Sequence, residues 1–261
     1  MLTTAVKAAR RAASIINRAS FDMEQVKVEQ KDQNDFVTEV DREAEAAIID
    51  VLLTTYPDHA ILAEESGASN GLNDSSEYVW IIDPLDGTTN FIHGFPCYCI
   101  SIALQQNGVL THGLVYDPAS NNLYTASKGS GAFMNNRRIR VSKTDRLSKA
   151  LIGTGFAGRK KDPEALKTFL KMFEAMTMNA QAVRRPGSAA LDLANVACGR
   201  YDGYYEKDLK IWDIAAGALL VSEAGGIVSD FDGEGDYLKS GDIIAGSPRV
   251  FAQMLTLLKA L

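Results

Sequence analysis

The sequence predicts a mixed fold of the α+β / α/β class, built in two halves, and three observations predict it. Residues 98–141 hold closely spaced β-prone runs separated by short polar turns, the pattern of an antiparallel sheet. From about residue 146 short apolar runs alternate with helix-length segments, the pattern of a sheet covered by helices. Two further helical segments precede both. At 261 residues the chain is long enough for two packed layers or lobes around a substantial core. Composition shifts near Ser142–Ser148, so we place the lobe boundary there, with residues 1–145 in one lobe and 146–261 in the other.

In order, residues 2–19 predict a helix with Val6, Ala9, Ala13 and Ile16 on its apolar side. A short strand is expected around Val26–Val28. The polar run Lys31–Asp35 reads as a turn suited to a mobile flap, and Phe36–Val37 resumes the strand. Thr38 and Asp41 have the spacing of a capping box, opening a helix that Pro57 stops after Tyr56. Ala60–Ala63 is a short strand ending in Glu64–Glu65. Tyr98–Gln106 and Val109–Tyr116 are strands joined by Asn107–Gly108, a strong hairpin signal. Leu123–Ser127, Gly129–Phe133 and Ile139–Val141 add strands. In the second half, strands are expected at Leu151–Thr154, Gln181–Arg184, Tyr201–Glu206, Ile227–Val228 and Ile243–Ala245. Helices are expected at Asp162–Met178, Ser188–Cys198, Trp212–Ala224 and from Pro248 to the end.

Composition narrows the function. Twenty-seven basic against 33 acidic residues give a net charge of −6, which argues against broad nucleic-acid binding as the main activity. Arg184–Arg185 and Asn136–Arg137–Arg138 are the local basic patches, and we read both as solvated surface. Leu2–Ser20 has no uninterrupted apolar run, so we read no signal peptide, and no stretch spans a bilayer. Cys97, Cys99 and Cys198 form no disulfide framework. We therefore expect a cytoplasmic protein. His59, His93 and His112 lack metal-ligand spacing, so carboxylates must do any metal work.

The most informative stretch is Trp80-Ile81-Ile82-Asp83-Pro84-Leu85-Asp86-Gly87-Thr88-Thr89-Asn90-Phe91. Tyr78–Ile82 is a strand apolar on both faces. An acid buried directly after it is costly unless a cation is present. Pro84 stiffens the turn and leaves Asp83 and Asp86 close enough to converge. Gly87 admits a ligand close to the backbone, and Thr88–Thr89 open a helix whose N–H groups suit an anion. Hard oxygen ligands beside an anion hole make a magnesium and phosphate site. A plain Asp-Pro/Asp-Gly turn is the simpler alternative. Glu64 or Glu65 stands about twenty residues upstream as a candidate third carboxylate. Asp213 stands where an N-cap stands, before the small-residue run Ala215–Ala218, and Gly225–Gly226 ends that helix. Glu206 ends a strand as a lone acid, and Gly187-Ser188-Ala189-Ala190 begins a helix. Acids and free donors at such ends suit a hydroxyl-rich substrate.

These residues carry a resemblance. Asp83-Pro84-Leu85-Asp86-Gly87-Thr88-Thr89-Asn90-Phe91 resembles the first signature of the inositol monophosphatase family, and Trp212-Asp213-Ile214-Ala215-Ala216-Gly217 with Glu223-Ala224-Gly225-Gly226 resembles the second. Glu64-Glu65-Ser66 matches the upstream acidic pair, and Arg184–Arg185 with Gly187–Leu193 is similar to the bacterial branch called SuhB. The resemblance implies a layered αβαβα sandwich of the sugar-phosphatase type, usually dimeric. It implies two or three Mg²⁺ ions, held by Glu64, Asp83, the Leu85 carbonyl, Asp86 and Asp213. It gives Thr88, paired with Asp41, the orientation of the attacking water, and gives phosphate binding to the Gly87 and Thr88 N–H groups. Glu206, Ser188 and Ala189 would meet the substrate hydroxyls. The 1–145 lobe would then carry the metal and phosphate site, and the 146–261 lobe would complete it.

The expected reaction is hydrolysis of inositol 1-phosphate or a similar polyol monophosphate by in-line attack of a metal-activated water, with lithium inhibition implied by the resemblance alone. Fructose bisphosphate, NADP(H), 3′-phosphoadenosine nucleotides and histidinol phosphate remain alternative substrates. The SuhB branch also implies a role as a binding protein in RNA-processing or transcription complexes. One departure stands out: many relatives have glycine where Asp208 sits, which leaves open the alcohol preferred.

Overall fold

The computed structural model describes residues 1–22, 26–32, 35–70, 72–73, 76–156 and 162–261. Helix α1 (Leu2–Ser20) presents a stripe of small residues, Ala5, Ala8, Ala9, Ala12 and Ala13, with Ile16. Strands β1 (Val28–Asp32) and β2 (Asp35–Thr38) pair antiparallel. Helix α2 (Glu39–Thr55) then packs along α1. Strands β3 (Ala60–Ala63), β4 (Gly67–Ser69) and β5 (Tyr78–Asp86) lead into the short helix α3 (Thr88–Ile92). The meander β6 (Cys99–Gln106), β7 (Val109–Asp117), β8 (Asn122–Ser127), β9 (Gly131–Met134) and β10 (Arg137–Arg138) completes the first sheet. After a 3-10 turn at Leu147–Lys149 come β11 (Leu151–Thr154), α4 (Pro163–Asn179), β12 (Ala182–Arg184), α5 (Ala189–Ala197) and β13 (Gly203–Glu206). Helix α6 (Ile211–Glu223), β14 (Ile227–Ser229), α7 (Tyr237–Ser240), β15 (Ile243–Gly246) and α8 (Pro248–Lys259) finish the chain.

The eight-stranded sheet has the order β10-β9-β8-β7-β6-β5-β3-β4, and its β3–β5 pair is parallel. The five-stranded sheet has the order β12-β11-β13-β15-β14. Alternation along the strands sends residues to opposite faces, and the cores follow. Trp80, Ile82, Ile100, Ile102 and Leu114 pack against α1 and α2. Ile81, Ala103 and Val115 on the other face meet α5 and α6, which also cover Tyr204, Ile243 and Ala245 of the second sheet. Ile152, Tyr205 and Ile244 face outward onto α4 and α8. The result is five layers, αβαβα, as the resemblance implied.

The middle layer is tight because its residues are small. A Cβ on Gly113 of β7 would lie 2.8 Å from the Ala216 carbonyl of α6, and one on Gly217 would lie 2.5 Å from Leu193 Cβ of α5. The small-residue run Ala215–Ala218 therefore packs closely, and it sets α6 directly over the first sheet.

Several expectations need correction. Ile139–Val141 is not a strand; β10 is Arg137–Arg138, because the chain leaves the sheet when the Val141 N–H turns to the Ala224 carbonyl at the end of α6. The first strand is Val28–Asp32 rather than Val26–Val28, so Lys31, Asp32 and Asp35 of the expected polar turn belong to strands, and residues 33–34 lie outside the described residues. Strands β4 and the short helix α7 have no apolar pattern and were not expected. Strand β5 runs on through Asp83 to Asp86 instead of ending at Ile82.

Candidate metal and phosphate site

The site begins where β5 loses register. Asp83 pairs with Ser101 and Asp86 with Cys99, so three steps on β5 face two on β6. The extra residue is a β-bulge, a device that re-aims side chains. Here it turns the chain back on itself, with the Leu85 N–H donating to Asp83 Oδ1 at 2.9 Å. Gly87 follows with φ +96°, and a Cβ there would lie 2.8 Å from the Cys97 carbonyl, so only glycine fits.

Each further acid reaches Asp83 by a different route. The parallel pairing of Ala63 with Ile82 sets Glu64 beside Asp83, and the Glu64 N–H donates to the Ile82 carbonyl at 3.1 Å. Ser101, opposite Asp83, donates through Oγ to the Trp212 carbonyl at 3.1 Å and so pins the start of α6. Asp213 is not the N-cap expected. Lys210 is, and Asp213 is the third helical residue, taking the Lys210 N–H on Oδ2 at 2.7 Å. The misplacement is one turn, because the apolar Ile211 and Trp212 already belong to the helix.

Asp83 is 1% exposed. Burial, foremost, and then the charges of Glu64, Asp86 and Asp213 push its carboxyl well above the usual carboxylate range, and Glu64 also hydrogen-bonds it. Four acids from three places in the fold, two on β5, one just after β3 and one in α6, therefore converge. Among the described residues, no three acidic, histidine or cysteine side chains are closed to ligating geometry. The donors are hard oxygens whose mutual repulsion a small divalent cation would relieve, so the set fits Mg²⁺.

Asp41 does two jobs with two oxygens. Oδ2 accepts the Thr38 N–H at 2.8 Å and the Thr38 hydroxyl at 2.5 Å, completing the capping box of α2. Oδ1 accepts the Thr88 hydroxyl at 3.0 Å, the same hydroxyl lying 3.0 Å from the Leu85 carbonyl. Cap and Thr88 partner thus coexist. Burial raises the Asp41 pKa against these hydrogen bonds.

Asp86 is held from the second half of the chain. Its Oδ2 accepts the Ser188 hydroxyl at 2.6 Å and the Ala190 N–H at 2.8 Å, while Ser188 caps α5. Ser188 is therefore in the site, but its hydroxyl is directed at Asp86. Ala189, the first residue of α5, stands beside it. Glu206 ends β13 and is buried, its carboxylate accepting from the Tyr204 hydroxyl. Burial above all, with Asp213 and Asp86 adding to it, pushes Glu206 up to about 8. The neighbouring Asp208 has φ +59°, the left-handed conformation that glycine favours. Its N–H donates to Asp242 Oδ1, and Lys207 pairs with Asp242, so the Asp208 charge is added beside an ion pair that is already neutral.

Sequence reasoning missed two acids. Glu45 accepts the Glu65 and Ser66 N–H groups at 2.8 and 2.9 Å and so shapes the turn that carries Glu64. Its signal was available: Glu45 lies four residues after Asp41, on the same face of α2. Asp192 on α5 is 1% exposed, its Oδ1 has no hydrogen-bond partner among the described residues, and it feels the charges of Glu206 and Asp86. A lone acid within an apolar helix gave no comparable pattern.

Comparisons with known proteins bear on the family and the fold. The family model described as "Inositol monophosphatase family" matches residues 1–260. The chain is 48% identical over 256 residues to the "Nus factor SuhB" of Pseudomonas aeruginosa, covering 98% of this chain and 94% of that one. Among solved structures, the extragenic suppressor protein suhB of Bartonella henselae superposes with a TM-score of 0.93 at 39% identity, covering 99% of this chain and 98% of that one. The inositol monophosphatase of Anabaena (Nostoc) sp. PCC 7120 gives 0.88 at 39% identity, covering 100% and 95%.

Proposed function

The chain belongs to the inositol monophosphatase family, and on that premise we propose that it is a Mg²⁺-dependent hydrolase of phosphate monoesters acting on inositol 1-phosphate or a similar small polyol monophosphate. The convergence of Glu64, Asp86 and Asp213 on buried Asp83 carries this reading. Glu64, Asp83, the Leu85 carbonyl, Asp86 and Asp213 would hold two or three ions. Such ions, when bound, acidify a water and neutralise charge on phosphoryl and leaving oxygens. The chain's own residues do the positioning. Thr88, whose hydroxyl donates to Asp41, would orient the attacking water, and Asp41 would take the proton relayed through it. Gly87 and Thr88 offer backbone N–H groups to the phosphate. Ser188 and the Ala190 N–H fix the orientation of Asp86. Glu206 and Ala189 would meet substrate hydroxyls.

Phosphate release from inositol 1-phosphate, measured with Mg²⁺ and with a chelator, tests the reading. Mg²⁺-dependent release is expected. No release from any member of a panel including fructose bisphosphate, NADP(H) and 3′-phosphoadenosine nucleotides would overturn it.

The Pseudomonas relative's name supports a second reading, association with a transcription complex. An Asp83→Asn variant that is inactive yet still joins such a complex would support it. We also propose a cytoplasmic homodimer; no helix among the described residues is long and apolar enough to cross a membrane.

A further inference from the structure

The segment joining the two sheets carries a charge pattern that the hydrolytic site does not use. Arg137, Arg138, Arg140, Lys143, Arg146 and Lys149 lie within thirteen residues, with Asp145 the acid among them, in a chain whose net charge is −6. All six cations are exposed. From Arg140 to Lys149 a cation recurs at every third residue, while Val141, Thr144, Leu147 and Ala150 turn inward. A period of three in an extended chain puts its outward side chains in one row, at steps of roughly 9 Å, and the closing 3-10 turn keeps that period.

The row is fixed rather than floppy. The Val141 N–H donates to the Ala224 carbonyl at 3.2 Å, Ser247 Oγ donates to the Thr144 carbonyl at 3.4 Å, and Gln253 Nε2 donates to the Asp145 carbonyl at 2.9 Å. The Leu147 N–H donates to Gln253 Oε1 at 2.9 Å. Among the described residues, no ion pair engages Arg137, Arg140, Lys143, Arg146 or Lys149, and Asp145 is itself 3.9 Å from Arg249. Edge-strand protection accounts for Arg137 and Arg138 on β10. It does not account for the four cations beyond the sheet. The row is also remote from the acidic socket, since β10 is five strands from β5.

We propose that residues 137–149 form a docking strip for a nucleic-acid phosphate backbone, read without regard to base. A linear row of cations complements a linear polyanion, and four of the six are arginines, whose fork suits phosphate oxygens. A protein partner would be expected to find an apolar or aromatic anchor, and no exposed large hydrophobic residue lies in 137–149. The inference does not rest on the hydrolytic reading.

The test uses the full chain and fluorescence anisotropy with three probes: labelled single-stranded RNA, a labelled DNA duplex, and poly-glutamate of matched charge. Wild type is expected to bind at least one nucleic-acid probe, with affinity falling steeply as salt rises, and the two probes distinguish which backbone fits the row. The triple variant R140E/K143E/R146E is expected to bind at least tenfold more weakly and to flatten the salt slope by about 2, from about 0.7 to 0.9 per lost phosphate contact. Its phosphate release should equal that of wild type, which reports an intact fold. Absence of wild-type binding, or an unchanged affinity in the triple variant, would overturn the proposal. Poly-glutamate bound as tightly as either nucleic acid would overturn it in favour of an acidic protein partner.

Discussion

Replacing Asp41 by asparagine separates the two jobs of one side chain. The asparagine oxygen can still accept the Thr38 N–H, and its amide can donate to the Thr88 hydroxyl, which then donates to the Leu85 carbonyl. The capping contacts lose their charge, worth about 1 kcal/mol each as charge-assisted bonds become neutral ones. Relief of burial offsets part of that loss, because burial is the dominant influence on Asp41 and opposes its ionisation. The net cost is about 1 kcal/mol, or about 2–4 °C in Tm for a chain of this size. The proton acceptor facing Thr88 is lost entirely, and removing such a group costs about 10²–10⁴ in rate. Phosphate release at saturating Mg²⁺ gives kcat, and a thermal melt of the same preparation gives Tm. Turnover within a few-fold of wild type alongside a small Tm loss would refute the reasoning and leave Asp41 as a cap alone.

Three further outcomes follow from particular contacts. Glu206 in the metal-free protein keeps its proton up to about 8, whereas its ordinary value is 4.5, so the folded chain holds a proton that the unfolded chain releases in between. Stability should therefore fall as pH rises through that window and level off above it, by a few kcal/mol from this group; urea unfolding in chelator should show a shallower fall in Glu206→Gln, and an equal slope would contradict the assignment. Gly87→Ala forces a Cβ to 2.8 Å from the Cys97 carbonyl at φ +96°. A loss of about 2 kcal/mol or more is expected, and an unchanged melt would show that the loop yields freely. Ser188→Ala removes a donor to Asp86 and the cap of α5. It should cost about 1–2 kcal/mol and raise the Mg²⁺ concentration for half-maximal rate by about tenfold; an unmoved Mg²⁺ curve would show that Asp86 needs no such support.

How much was legible depended on whether a signal was local. Ala60–Ala63 and Leu151–Thr154 match their expected spans because apolar runs end at polar turns there. The capping box at Thr38 and Asp41 was written in four residues and is present. Asp83 and Asp86 were recognisable from one turn, but the bulge that joins them is a relation between β5 and β6, which no single run displays. Asp213 was found in its helix yet assigned to the cap, because Ile211 and Trp212 read equally well outside it. Glu45 shares a face of α2 with Asp41, a local spacing that was readable, but its hold on a turn twenty residues away shows only where α2 meets that turn. The cationic row was seen at Asn136–Arg138 alone, since a period of three belongs to neither helix nor strand templates.

The central claim is that Glu64, Asp83, Asp86 and Asp213 form one cation socket, and melting temperature with and without Mg²⁺ tests it most directly. Wild type is expected to melt higher in Mg²⁺ than in chelator, by about 5–10 °C at a hundredfold excess over Kd. Asp83→Asn should lose that increment while melting no lower than wild type in chelator, because a buried, mutually repelled acid has been removed. Equal wild-type melting temperatures in chelator and in saturating Mg²⁺ would contradict the account.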